Sequence, residues 1–115
     1  MKKLFALLLL ITSVSVLAEE LETPSYNVTI QSNCAEGEVS CDDVSYTGIN
    51  KKSGKSIILK GSTWHTLCAD GVTPCRFLGY KFKNGDVTYT VSEGGILEVV
   101  KKGNKVLFSE QGNWR

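Results

Sequence analysis

His65 is the single histidine of the chain, so any Ser-His-Asp arrangement or imidazole acid–base step would have to run through it. It stands in Thr63-Trp64-His65-Thr66, an extended-looking stretch in which a lone histidine reads as a packed or surface side chain. A second group is acidic: Glu36, Glu38, Asp42 and Asp43 crowd one segment. Carboxylates that cleave a sugar linkage must face each other across a cleft at about 5 to 10 Å. No spacing here marks such a pair, and the group reads as a solvated loop.

Sulfur chemistry leaves the sharper pattern. The cysteines fall in two segments of one form, Cys34-Ala-Glu-Gly-Glu-Val-Ser-Cys41 and Cys68-Ala-Asp-Gly-Val-Thr-Pro-Cys75, each followed five residues on by a tyrosine, Tyr46 and Tyr80. Zinc pairs are usually separated by roughly two to four residues, fewer than here. Disulfides are the reading that the spacing favours, pairing Cys34 with Cys41 and Cys68 with Cys75, while the two crossed pairings stay open. Asp70-Gly71 and Pro74 add turn chemistry to the second segment.

The compartment follows from the N-terminus. Lys2 and Lys3 precede an apolar run from Leu4 to Val16, and Val16-Leu17-Ala18 ends in small residues suited to cleavage. Residues 1–18 are expected to be a secretory signal and residues 19–115 one small domain. The apolar run is shorter than the roughly 20 residues needed to span a bilayer, so no membrane span is expected after cleavage. The short Lys-Lys start and the leucine run suggest a bacterial exporter and hence the periplasm, which permits disulfides. Loss of Lys2 and Lys3 takes the formal net charge from +1 to −1. No basic field remains to attract nucleic acid.

The elements that must position these residues read as strands. Alternation marks Tyr26 to Ile30, Val44 to Ile49, Phe77 to Phe82, Val87 to Val91 and Ile96 to Val100. Ser56 to Lys60, Thr63 to Leu67 and Lys105 to Ser109 are extended too. Gly61-Ser62 reads as a bend, Asn84-Gly85 and Gly103-Asn104 as hairpin turns, and Glu93-Gly94-Gly95 as another turn. Glu19 to Pro24 reads as a polar, flexible or edge lead-in, and Trp114 either packs back or dangles. About eight short strands and no helical period after the signal predict an all-β fold, a small antiparallel sandwich or barrel stapled by two disulfides.

A small exported β protein with disulfides and a Gly-rich turn ahead of its last strands resembles the membrane-bound and periplasmic inhibitors of c-type lysozyme. The resemblance rests on architecture and on the stretch from Gly94 to Gly112. It implies an inhibitor or immunity protein against a cell-wall hydrolase. That family's Ser-Gly-x-x-Tyr motif is not reproduced, since Ser92-Glu93-Gly94-Gly95-Ile96 stands at the nearest place, and no inhibitory residue is carried over.

Together these readings predict a non-enzymatic periplasmic binding protein with no cofactor and no metal. Its expected partner is another protein, a hydrolase or toxin, met by the cysteine loops through Glu36, Glu38, Asp42, Asp43, Asp70 and Gly71. A cross-linked loop loses less entropy on docking than a free one. Two alternatives are a glycan or small-ligand module stacking on Trp64, Tyr80 and Tyr89, and a small hydrolase using His65.

Overall fold

The computed structural model describes residues 17–115, residue 36 excepted. Apart from Leu17 and Ala18, the expected signal segment lies outside the described residues. The chain forms strands β1 (Leu17–Glu22), β2 (Tyr26–Ser32), β3 (Val44–Asn50), β4 (Ser56–Leu67), β5 (Pro74–Asn84), β6 (Val87–Ser92), β7 (Ile96–Lys101), β8 (Lys105–Gln111) and β9 (Asn113–Trp114). They make one antiparallel sheet in the order β8-β7-β6-β5-β4-β3-β2-β1-β9. Each strand from β1 to β7 pairs with its successor, and β9, two residues long, returns to pair Leu21 with Trp114 and Glu22 with Asn113. Because β9 continues β8 through Gly112, the sheet curls into a nearly closed barrel. β9 covers the end of the β1 edge at Leu21 and Glu22, part of the edge that an open sheet would leave unpaired.

Alternation explains which side chains fill the barrel. Val44, Gly61, Phe82, Tyr89, Val99 and Phe108 stand directly opposite one another from β3 to β8 and form one inward row. The small pair Val44 and Gly61 stands beside the large pair Phe82 and Tyr89. A β-carbon on Gly61 would come within 2.6 Å of Phe82 Cδ1 and run into the Lys81 carbonyl oxygen. Gly61 is therefore the space that Phe82, fully buried, occupies. This corrects the expected bend at Gly61-Ser62: β4 runs straight through it as a strand of 12 residues, and the glycine serves close packing.

Two tyrosines share this core. Tyr46 and Tyr80 lie with ring centroids 5.2 Å and 6.5 Å from Phe82. The tyrosine that follows each cysteine segment is thus a core residue, 1% and 8% exposed respectively.

The lead-in expected at Glu19–Pro24 is also corrected. Glu19 to Glu22 belong to the paired strand β1, which meets β2 along its length and β9 at Leu21 and Glu22. Leu21 is its fully buried residue, and the flanking glutamates hide the alternation. Trp114 packs back, its indole N–H donating to the Glu93 carbonyl at 2.8 Å. Between β4 and β5 the register shifts near His65. Gly79 lies opposite this bulge with φ +145°, a backbone conformation open to glycine and strained for other residues.

The barrel seam is sealed by side chains where β8 meets the β1–β2 turn. Glu110 accepts from the Ser25 N–H at 3.0 Å and from its hydroxyl at 2.6 Å, and Tyr26 meets Phe108 edge-on at 5.3 Å. Burial raises the Glu110 pKa, yet hydrogen bonds from Ser25 and Thr23 outweigh it and hold the carboxyl below its ordinary value. The seam therefore carries an ionised acceptor at neutral pH.

Candidate functional site

In an up-and-down barrel successive connections alternate between the two ends. The β2–β3 and β4–β5 connections, which hold the cysteine segments, therefore share one end. The disulfides are Cys34–Cys41 and Cys68–Cys75, with Cα separations of 5.8 Å and 5.2 Å, the pairing that the repeated spacing favoured.

Each loop is fixed by more than its disulfide. In the first, the Cys41 N–H donates to Thr63 Oγ1 at 2.9 Å and Cys41 O accepts from the Thr63 N–H at 2.8 Å, which pins the loop to β4. In the second, Asp70 Oδ1 accepts the Val72 and Thr73 N–H groups at 2.9 Å each, and the Thr73 hydroxyl donates to Asp70 Oδ2. That set of donors, the hydroxyl first, holds the Asp70 carboxyl down at about 2. Asp70 is thus ionised across the physiological range and spent on shaping its own loop. Gly71, beside it, takes φ +75° at the turn.

The structure separates the other acidic candidates. Asp43 lies on the outer face of the sheet, 3.5 Å from Lys60 Nζ and 3.3 Å from the Asn33 amide. Glu38 and Asp42 are exposed at the loop end. Glu36 lies outside the described residues.

What the sequence reading missed are the two valines beside these acids. Val39 is 73% exposed and Val72 77% exposed, one in each disulfide loop, and Leu67 at the end of β4 is 59% exposed. An isolated valine inside a polar, cross-linked segment is the signal that could have found them. No alternation gives such a residue an inward partner.

His65 and the aromatic candidates part company. The two ring nitrogens of His65 are buried with no hydrogen-bond partner among the described residues, and its ring meets Phe77 at 5.5 Å. A general base needs a nitrogen within reach of its substrate, and this geometry gives the hydrolase reading no support. Trp64 carries Lys81 Nζ 4.9 Å above its ring, Tyr80 is in the core, and Tyr89 faces a cavity at the other end. The three do not make one stacking surface.

That cavity, about 360 Å³, opens at the mouth opposite the disulfide loops. Tyr26, Tyr46, Tyr89 and Phe108 give it aromatic walls, with Ile57, Leu97 and Val99 beside them. Its polar rim comes from the β3–β4 turn, at Asn50, Ser53, Lys55 and Ser56. Asn50 Oδ1 accepts the Lys52 and Ser53 N–H groups at 2.8 Å and 3.0 Å, which sets the shape of that turn.

Compared with protein-family models, curated proteins and solved structures, the chain matches none.

Proposed function

We propose that the protein is a non-enzymatic binding protein, exported to the periplasm, that recognises another protein through the barrel end bearing its two disulfide loops. The observation that carries this reading is the pair of exposed valines, Val39 and Val72, held on cross-linked loops at one end of the molecule. Apolar side chains on rigid supports dock with little loss of conformational entropy and exclude water at the centre of a contact. The exposed carboxylates of Glu38 and Asp42 flank Val39 in the chain, which suits a partner with a basic surface. A basic cell-wall hydrolase or toxin has that character. Inhibition of such an enzyme agrees with the resemblance to lysozyme inhibitors, reached here by loops in place of that family's motif.

Affinity capture with residues 19–115, disulfides formed, from periplasmic extract and host secretions tests the reading. A single stoichiometric hydrolase or toxin is expected on the wild-type column and is expected to be lost when Val39→Ser and Val72→Ser are combined. An empty wild-type column, or a partner retained by the double variant, would overturn it.

A further inference from the structure

We infer that the aromatic mouth at the opposite end of the barrel is a binding site for a small aromatic acid. This site is independent of the loop-end reading, since it lies at the other end of the strands.

Three observations converge on it. The first is its build: a concave cavity of about 360 Å³ with mostly apolar walls and a short polar rim, the composition and size by which small-molecule sites are recognised. Eight-stranded barrels have room at the mouth for one small ligand.

The second is the aromatic geometry. Tyr46 and Tyr89 meet edge-on at 5.5 Å and Tyr26 and Phe108 at 5.3 Å. All four rings line the cavity. A planar guest gains offset or edge contacts from such walls beyond simple burial of area. The hydroxyl end of Tyr46 lies over Gly48, where a β-carbon would come within 2.7 Å of Oη. Gly48 also lines the cavity, so a side chain only 1% exposed presents its donor there.

The third is charge. Lys55 is the one cationic residue among the described residues lining the cavity, and no carboxylate stands among them. An ammonium at the rim of an apolar, aromatic hollow selects a guest whose apolar body goes in first and whose acidic group stays at the entrance.

Two dyes that share an aromatic body test the inference: anilinonaphthalenesulfonate, which is anionic, and N-phenylnaphthylamine, which is neutral. Both are titrated by fluorescence into the folded, disulfide-bonded chain. Saturable binding of one dye per chain is expected for each. Lys55→Glu changes an exposed residue and is expected to weaken the sulfonate about fivefold or more, leaving the neutral dye unchanged. Val99→Phe fills the cavity and is expected to weaken both. The loop variants Val39→Ser and Val72→Ser are expected to weaken neither. Absence of saturable binding, sulfonate binding unmoved by Lys55→Glu, or full binding by a cooperatively unfolding Val99→Phe would each overturn the site.

Discussion

Tyr80 shows how one residue ties the core to the pH response. Its ring is 8% exposed and its hydroxyl donates to Glu19 Oε1 at 3.1 Å. Burial first, then the Glu19 charge and hydrogen bond, push its pKa up to about 12. The folded state therefore favours the protonated phenol. Stability from this group is complete below the unfolded value near 10 and is lost as pH rises through about 12. That loss amounts to about 2 to 3 kcal/mol across the window, taking roughly 1.4 kcal/mol per pKa unit. In Tyr80→Phe the group cannot titrate. Urea unfolding at a series of pH values is expected to show a shallower fall between about pH 10 and pH 12 than in the wild type, and a cost of about 1 kcal/mol at neutral pH for the lost hydrogen bond. Parallel curves for the two proteins would show that Tyr80 ionises freely in the folded state. Tyr46, more deeply desolvated and raised in the same direction, continues the alkaline loss in both.

Among the elements, the disulfide loops make the clearest prediction. Each closes across a sequence separation of 7, which in the chain-entropy model stabilises by about 2.5 kcal/mol. Replacing Cys68 and Cys75 by serine is expected to lower the unfolding free energy by about that amount, less what the Asp70 turn retains. The first loop is expected to lose more than its own closure, because Cys41 is also a core residue, 7% exposed, where serine would bury a hydroxyl. Comparison of the two double-serine variants by urea unfolding checks the order. The loops were legible because cysteines repeated at one spacing around turn residues favour local pairing, β2, β3 and β6 because their apolar residues alternate, and β7 because turns bracket an apolar stretch. β1 was not, because Glu19, Glu20 and Glu22 surround a single buried leucine. The unity of β4 was hidden because Gly61 has two uses, bending a chain or making room for Phe82, and only the partner strand decides between them. The cavity could not be read at all: Tyr26, Tyr46, Tyr89 and Phe108 come from four strands, and register together with curl brings them to one mouth.

For the whole molecule the question is what closes the sheet, since a meander of eight strands left open would expose both β1 and β8 along an edge. The chain answers with its last residues. Gly112 donates its N–H to the Gly95 carbonyl at 2.7 Å, and Arg115 donates its own to the Glu20 carbonyl at 2.9 Å. Trp114 pairs with Leu21 and bonds Glu93 across the seam. The ion pair of Arg115 with Glu22, 3.8 Å apart and exposed, adds little. Ending the chain at Gly112 removes β9 while leaving the Ser25–Glu110 hydrogen bonds in place, so the barrel is expected to loosen at β1 without unfolding. A loss of about 2 to 4 kcal/mol follows from the missing indole packing and hydrogen bonds. Native-state hydrogen exchange locates it: protection is expected to fall most at the amides of β1 that face β9 and least in β3 to β6, which keep both neighbours. If β1 stayed as protected as before, closure would rest on the Glu110 seam alone, and Glu110→Ala would then produce the loss expected here of the shortened chain.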